Sequence, residues 1–312
     1  MGMEIHRYTA AYHRDWNGFV NESSNGTFLF LREYMEYHAD RFSDYSLLVY
    51  DDNRLLALLP ANRQGDVLYS HAGLTYGGLI VTTRNTTVQV LEIMQLIADF
   101  LRKERFVKWV YKCVPHIYHR YPSEADLYAL FRLNARWVGC NISSTVQQDR
   151  PLRFRADRRS RIKKAEQAGL QVVETTDFAP FWAILEANLQ ERFHVKPVHS
   201  LAEIELLHSR FPDRIRHLVT MRGNEVLAGS VIYDTGIVAH AQYTSASHEG
   251  KSSGALDLLY GKIIGEVFAD RKWFDFGQST EDMGHYLNEG LITQKEGFGC
   301  RAVAYNIYEI IL

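Results

Sequence analysis

Cysteine is scarce in this sequence, long apolar runs are missing, and neither sign of charge prevails. Its three cysteines, Cys113, Cys140 and Cys300, form no CxxC pair. This predicts neither a disulfide framework nor a thiolate zinc site, and it is typical of a reducing cytoplasm. No run approaches the roughly 18 apolar residues of a membrane-spanning helix, and the N-terminal stretch lacks the apolar core of a signal peptide. The 35 basic and 37 acidic side chains give a formal net charge of −2, so any anion binding must be local.

The chain is long enough for two domains, and one pattern occurs in it twice. Its 312 residues exceed the usual size of a single domain. Two β-rich runs joined by a polar turn occupy residues 45–63 and again residues 215–233, and each predicts a β-hairpin. Matching Asn53 with Asn224 aligns the two hairpins at an offset of 171 residues.

A helix and a strand follow each hairpin in the same order. Residues 88–105 and 254–272 have amphipathic helical patterns with basic ends, and they lead into apolar strands at 106–114 and 273–279. Matching Phe106 with Trp273 gives a similar offset of 167 residues. We therefore predict an α/β protein with mixed sheets. It consists of tandem units, residues 1–150 and 151–312, each a central mixed β-sheet flanked by helices.

The turn before the second helix has the composition of an anion site. Residues 246–264 read ASHEGKSSGALDLLYGKII, with small residues preceding an apolar-striped helix that begins at Ala255. Ser252 or Ser253 can cap this helix, and Gly254 allows close approach to its first turn. The N–H groups of that turn, the helix dipole and Lys251 predict a site suited to pyrophosphate. An ordinary capped helix after a surface loop is the alternative interpretation.

A strongly basic segment lies between the two repeats. Residues 153–164 contain seven basic side chains and one acidic one. Residues 157–168 have helical composition, and Gly169 is a natural C-terminal stop. The basic side chains either form a solvated face at a domain junction or bind phosphate. In the second case we select Arg158 and Arg161, which share a helix face. The phosphate would belong to coenzyme A, a nucleotide-linked acceptor or tRNA.

No nucleophile or metal site stands out. Cys113, His116 and His119 have a spacing that suggests metal ligands, but a fourth ligand is missing and the segment is typical of a loop before a capped helix. We therefore expect no metal. The thirteen histidines form no Ser-His-Asp or Cys-His pattern, and no Walker or dinucleotide motif is present. Any group transfer is thus expected to proceed directly, without a covalent enzyme intermediate.

The order hairpin, strand, glycine-containing turn, helix and strand is similar to that of the GNAT superfamily of acyl-CoA N-acyltransferases. In that superfamily a turn of the form Arg/Gln-x-x-Gly-x-Gly/Ala holds the coenzyme A pyrophosphate. The run Lys251-Ser-Ser-Gly254-Ala255-Leu256 resembles this turn, with leucine at the usual small position. The resemblance implies a coenzyme A site formed by these residues: Lys251, Ser252, Ser253, Gly254, Ala255, Arg158 and Arg161.

Three further segments resemble the FemABX-like branch, whose members are built from two GNAT units. Residues 158–169 are similar to its basic helix, and WFDFG at 273–277 to its strand ending in Asp-Phe-Gly. QKEGFG at 294–299 is similar to its Phe-Lys-x-Gly-Phe-Gly segment, with Gln294 in place of phenylalanine. In the first half, LTYGGLI at 74–80 is similar to its aromatic-Gly-Gly strand.

The resemblance implies roles for several polar residues. Lys295 would stabilise the charge that develops on the acyl carbonyl, and Asp275 would accept a proton or orient the attacking amine. Tyr243, Gln278, Glu281 and Tyr286 would complete a polar cluster in which one tyrosine protonates the departing thiolate. The acceptor would be a small-molecule amine or a peptide.

Three functions remain open on the sequence. Transfer from acyl-CoA to an amine is favoured by the Lys251 turn and by the missing coiled-coil arm of the FemABX enzymes. Aminoacyl-tRNA-dependent transfer to a cell-wall precursor or peptide is favoured by the basic helix and disfavoured by the near-neutral total charge. A non-catalytic binding protein that keeps the fold is suggested by Leu256 and Gln294.

Overall fold

The computed structural model describes residues 2–312, apart from the side chain of Phe193, and divides them into two units. The first unit contains the chain up to Ile142, with Thr280–Tyr286 and Ala304–Leu312. The second contains Ser143–Ser279 and Leu287–Val303. The sequence-based division at residues 150 and 151 assigned both late segments of the first unit to the second domain. Within residues 2–312, no helix is long and apolar enough to cross a membrane.

The strands and helices are interspersed along the chain. In chain order, the strands are β1 (Met3–Arg7), β2 (Ser43–Asp44), β3 (Leu47–Asp51), β4 (Arg54–Leu59), β5 (Asn62–Gln64), β6 (Val67–Tyr69), β7 (Lys108–Lys112), β8 (Arg136–Gln147), β9 (Gln171–Glu174), β10 (Ile215–Arg222), β11 (Glu225–Asp234), β12 (Val238–Ala246), β13 (Trp273–Gln278), β14 (Thr280–Glu281), β15 (Tyr286–Leu287) and β16 (Arg301–Ile311). The helices are α1 (His13–Glu22), α2 (Arg32–Met35), α3 (Thr87–Lys103), α4 (Ala125–Arg132), α5 (Ala156–Gln167), α6 (Ala179–Phe193), α7 (Leu201–Arg210), α8 (His248–Ser253), α9 (Ala255–Lys262) and α10 (Glu289–Glu296).

The first unit confirms its predicted hairpin, helix and strand as β3–β4, α3 and β7. The hairpin joins β1 in an antiparallel sheet of order β1-β3-β4, while β2, β5, β6, β7 and β16 lie side by side in another sheet. Helix α3 begins where the Thr86 side chain accepts a hydrogen bond from the backbone N–H of Gln89. Its apolar side chains, at helical spacing, enter one core with Trp109 of β7.

The strand predicted at residues 74–80 is wrong. This segment has a single β-bridge, from Ile80 to Leu58, and otherwise follows an irregular path. Two glycines explain it: a Cβ on Gly77 would lie 1.9 Å from the carbonyl oxygen of Ser70, and a Cβ on Gly78, which has φ +90°, would lie 2.8 Å from the Tyr111 hydroxyl oxygen. The chain thus packs too closely on its neighbours to extend into a regular strand.

The second unit has a sheet of order β8-β13-β12-β11-β10-β9. The predicted hairpin is confirmed as β10–β11. The parallel pair of this sheet is formed by β12 and β13. Helix α6 covers one face, because Gly229 of β11 lies against Phe181. The adjacent Ala228 belongs to a core with Leu258 of α9, and since neighbouring residues in a strand point to opposite faces, α9 covers the other face. The predicted basic helix is confirmed as α5, with Gly169 (φ +74°) after its end.

One buried histidine of β10 couples the stability of the second unit to pH. His217 stacks on Phe178 at 4.6 Å between ring centroids, and neither of its ring nitrogens has a hydrogen-bond partner among the described residues. Burial lowers its pKa from 6.5 to about 4, so the unfolded chain binds a proton below pH 6.5 that the folded chain excludes until about pH 4.

We therefore expect that lowering the pH from 6.5 to 5 reduces the free energy of unfolding by about 2 kcal/mol because of His217. His217→Phe keeps the stacked ring and removes the titration. Urea denaturation at pH 7 and pH 5 should show a smaller pH dependence in the variant. An unchanged difference between the two pH values would contradict this assignment.

Candidate active site

The sheet of the second unit opens between β12 and β13. These strands pair over only three positions, the last being His240 with Asp275. Beyond that point β12 continues against β11, and β13 continues against β8. A cavity of about 840 Å³ lies at the opening, lined by residues 241–246 of β12, by Phe276 and Gln278 of β13, and by side chains of α6, α9 and α10. This size is typical of small-molecule sites.

Lys295 lies in the last turn of α10 and lines this cavity. Its Nζ donates hydrogen bonds to the carbonyl oxygens of Gly277, at 2.9 Å, and Gln278, at 2.8 Å. Burial lowers the pKa of its side chain to about 8, while the charge of Asp275 acts in the opposite direction. A protonated lysine has three donors. Two are used by the backbone, so the third is available for a ligand in the cavity.

Asp275 is fully buried and lies outside the described lining of the cavity. Its carboxylate accepts hydrogen bonds from the hydroxyls of Ser143 and Thr145, the backbone N–H of Gly277, and Nδ1 of His240 at 2.8 Å. Contact of this carboxylate with an acceptor amine, as the sequence suggested, is therefore blocked. The Asp275 charge influences the cavity by raising the pKa of Lys295.

Of the remaining predicted polar residues, two line the cavity. Tyr243 and Gln278 do so, and the Tyr243 hydroxyl is hydrogen-bonded to the backbone N–H of His199, at 3.2 Å, and to its Nδ1, at 2.5 Å. Glu281 and Tyr286 are exposed, belong to the first unit, and are not among the described lining residues. The predicted four-residue cluster is therefore reduced to its two members in β12 and β13.

Tyr260 is a cavity residue that the sequence did not reveal. In the pattern of α9 it has the spacing of a core residue, and it is indeed buried. Its hydroxyl is hydrogen-bonded to Thr244 and lies 3.5 Å from the Ser230 hydroxyl. Burial raises its pKa to about 12, so it retains its proton throughout the neutral range.

A second, positively charged cavity of about 350 Å³ adjoins the first and contains both predicted arginines. Arg158 Nη1 and Arg161 Nε each donate to one oxygen of Asp257, at 2.7 and 2.8 Å. Arg155, which is paired with Asp157, and Lys251 also line it, so the described lining contains four basic side chains and one carboxylate. The two cavities share the lining residues Lys251, Leu256, Gly290 and Gln294. A ligand can therefore extend from the positive cavity into the one at Lys295.

The segment predicted as a loop, residues 245–254, contains the helix α8 (His248–Ser253), and this corrects the capping assignment. Ser252 and Ser253 do not cap α9, because their hydroxyls donate to the carbonyl oxygens of Glu249 and Gly250 within α8. The residue before α9 is Gly254, without a side-chain cap. Lys251 contributes its ammonium to the cavities, where Nζ donates to Asn188 Oδ1 at 2.7 Å. The hydroxyls of this turn are thus already engaged, and Ala255 is buried.

Gly254 allows the close approach that the sequence predicted, and its neighbour is the backbone of α5. Its φ is +81°, and a Cβ would lie 2.8 Å from the carbonyl oxygen of Arg161. Gly223, with φ +56° and open space around it, is a matched control. We expect Gly254→Ala to lower the free energy of unfolding by about 3 kcal/mol and Gly223→Ala by about 1 kcal/mol. Equal losses in urea denaturation would show that the contact with α5 is unimportant.

Comparison with known proteins agrees with this geometry. Residues 153–286 match the sequence model of the acetyltransferase (GNAT) domain family, whereas a search of curated proteins gives no match. The crystal structure of FemX superposes with a TM-score of 0.69 at 12% identity, over 99% of this chain and 97% of that one.

Two further structures share the fold at similarly low identity. L-PGS from Bacillus licheniformis has a TM-score of 0.61 at 13% identity, over 95% of this chain and 90% of that one. The tandem GNAT protein from the clavulanic acid biosynthesis pathway has a TM-score of 0.52 at 11% identity, over 98% of both chains. Residues 153–286 are thus similar to the acetyltransferase (GNAT) domain family, and the chain shares the fold of FemX and of the tandem GNAT protein.

Proposed function

We propose that this site transfers an acyl group from an acyl-CoA thioester to an amine by direct attack. The observation that carries the proposal is the positive cavity of Arg155, Arg158, Arg161 and Lys251, which opens into the cavity of Lys295. Coenzyme A combines anionic phosphates with a thioester at its far end. Charge complementarity therefore favours phosphates in the first cavity and the reacting carbonyl in the second.

Binding of the phosphates rests on pre-positioned charge. Asp257 holds the guanidinium groups of Arg158 and Arg161 in fixed orientations, so little side-chain entropy is lost when an anion binds. Burial lowers the pKa of Lys251, and the neighbouring charge of Arg192 adds to this effect. A bound phosphate would reverse the shift, because an opposite charge favours the protonated amine.

In the chemical step, the third N–H of Lys295 donates to the thioester carbonyl oxygen and stabilises the negative charge that forms there. The acceptor amine attacks the carbonyl carbon, the C–S bond breaks, and the amine loses one proton to water. The departing thiolate takes up a proton, which we assign to the Tyr243 hydroxyl. Tyr260, with its pKa near 12, holds its proton too firmly for that role, and the Tyr243 hydroxyl can regain a proton through His199.

The donor site predicts a charge-specific loss of coenzyme A affinity. We expect Lys251→Ala and Arg161→Ala each to weaken binding of coenzyme A about tenfold or more, because each removes a charged hydrogen-bond donor. Arg159→Ala is the matched control, since Arg159 is an exposed residue of the same helix outside the described lining. Calorimetric titration measures all three. No binding of coenzyme A to the unaltered protein at millimolar concentration would remove the donor site.

We predict that activity falls at alkaline pH as the ammonium of Lys295 loses its proton. Below its pKa of about 8 the ammonium offers a third donor, whereas above it the neutral amine has only the two that the backbone uses. We expect Lys295→Met to lower thioester turnover about 100-fold or more at pH 7 and less at pH 9. The measurement is release of free thiol from acetyl-CoA, with water as a general acceptor.

Asp275→Asn provides the second arm of this experiment. The Asp275 charge raises the pKa of Lys295, so its removal should move the alkaline loss to lower pH. Lys295→Arg stays charged throughout and should remove the pH dependence in this range. Turnover unaffected by Lys295→Met would overturn the role assigned to Lys295, whereas no turnover by the unaltered protein would favour a binding protein that keeps the fold without transfer chemistry.

One observation favours an aminoacyl-tRNA donor as a second candidate. A third cavity of about 420 Å³, lined partly by Arg153, Arg155 and Arg301, shares Arg155 with the positive cavity. This positive surface is more extensive than a pyrophosphate requires. A tRNA donor would show binding that weakens steeply with salt and decreases on Arg301→Ala, whereas coenzyme A affinity would not change in that variant.

A further inference from the structure

The cavity at Lys295 has one wall that the transfer of a two-carbon group does not require. Leu185 and Leu189 of α6 line it, and the segment that follows α6 adds Val195, Pro197 and Val198. We name residues 195–198 the strap. Val195 and Val198 are 50% and 73% exposed, so a large apolar surface remains in contact with water at the mouth of the cavity.

The strap is held at both ends. Before it, His194 ends α6 in the left-handed conformation, with φ 55°. After it, a capping box between Ser200 and Glu203 fixes the first turn of α7. His199 is buried and hydrogen-bonded to the Tyr243 hydroxyl. The fixed ends make the apolar wall a built part of the site.

The cavity is chemically divided. Its positive side, where Lys251 is shared with the arginine cavity, suits the phosphates of the donor. Lys295, Gln278 and Tyr243 surround the place of the reacting carbonyl. Leu185 and Leu189 belong to α6, on the face of the sheet opposite Leu256 and Tyr260 of α9. The cavity thus receives side chains from both faces through the opening between β12 and β13, and Lys251 joins its two sides, because its Nζ donates to Asn188 of α6.

We propose that the donor carries an extended apolar acyl chain, which Leu185, Leu189 and the strap hold, so that the enzyme prefers medium-chain acyl-CoA over acetyl-CoA. The inference rests on the proposed function, because it assumes the donor phosphates lie in the positive cavity. The occupant is the acyl chain because Lys295 and the strap line the same cavity, and the acyl chain is the part of the donor attached to the carbonyl that Lys295 would bind. Arg192 and Lys196, which also line the cavity, are exposed and can keep their charged ends in water.

The test is calorimetric binding of coenzyme A and of its acetyl, butanoyl, hexanoyl and octanoyl thioesters to the full chain. Each buried methylene should lower Kd by about fourfold until the wall is filled. The double substitution Val195→Ser and Val198→Ser should reduce this gain for the longer chains and leave coenzyme A itself unchanged. Leu206→Ser is the matched control, because Leu206 is an exposed apolar residue of α7 outside the described lining.

The outcomes separate the two proposals. If coenzyme A does not bind, the proposed function fails. If coenzyme A binds but acetyl and octanoyl thioesters bind equally well, only the acyl-chain inference is overturned. A dependence on the apolar group of the amine acceptor, with none on acyl length, would also overturn it and assign the wall to the acceptor. A gain with chain length that survives both valine substitutions would exclude the strap as the binding surface.

Discussion

The end of pairing between β12 and β13 is the constraint on which the site depends. Two parallel strands that separate leave backbone groups without ladder partners, and buried backbone groups need substitutes. Lys295 supplies them for the carbonyl oxygens of Gly277 and Gln278, and Asp275 accepts the N–H of Gly277. The lysine to which we assign the stabilisation of the acyl carbonyl is therefore also a structural partner of the opening. A wide cavity and a buried cation arise from one local interruption of the sheet.

Charge near the opening is balanced in pairs. Burial disfavours the ammonium of Lys295, and the fully buried Asp275 offsets part of that cost. In the positive cavity, Asp257 likewise forms ion pairs with Arg158 and Arg161. Asp257 lies in the first turn of α9, where the helix dipole favours a negative charge. The first turn of α9, where the sequence predicted a ligand phosphate, thus contains the carboxylate of Asp257. The two arginines paired with Asp257 line the cavity and make it positive.

Local patterns made much of the fold predictable, whereas contacts between distant residues did not. The hairpins and α3 follow from turn residues and apolar spacing within one segment, α5 follows from helical composition before Gly169, and the structure confirms them. The His240–Asp275 pair depends on strand register between residues 35 positions apart, and no local pattern encodes it. At Ser252 and Ser253 the local pattern itself was ambiguous, because a run of small polar residues is compatible with both a loop and a short helix.

The repeated order of elements does not produce a repeated site. In the first unit, Lys112 at the end of β7 donates to the carbonyl oxygens of Ala72 and Leu74, and loss of hydration lowers its pKa to about 8. Like Lys295, it is a poorly hydrated lysine that satisfies backbone carbonyls.

The segment beside it nevertheless closes the space that stays open in the second unit. A Cβ on Gly78 would lie 2.8 Å from the Tyr111 hydroxyl oxygen, and this hydroxyl accepts the N–H of Leu79 while it donates to Asp126. With irregular chain filling the place of a diverging strand, Lys112 borders none of the cavities described above. The difference between the units therefore lies in the path of the backbone next to the lysine, because a described cavity borders Lys295 and none borders Lys112.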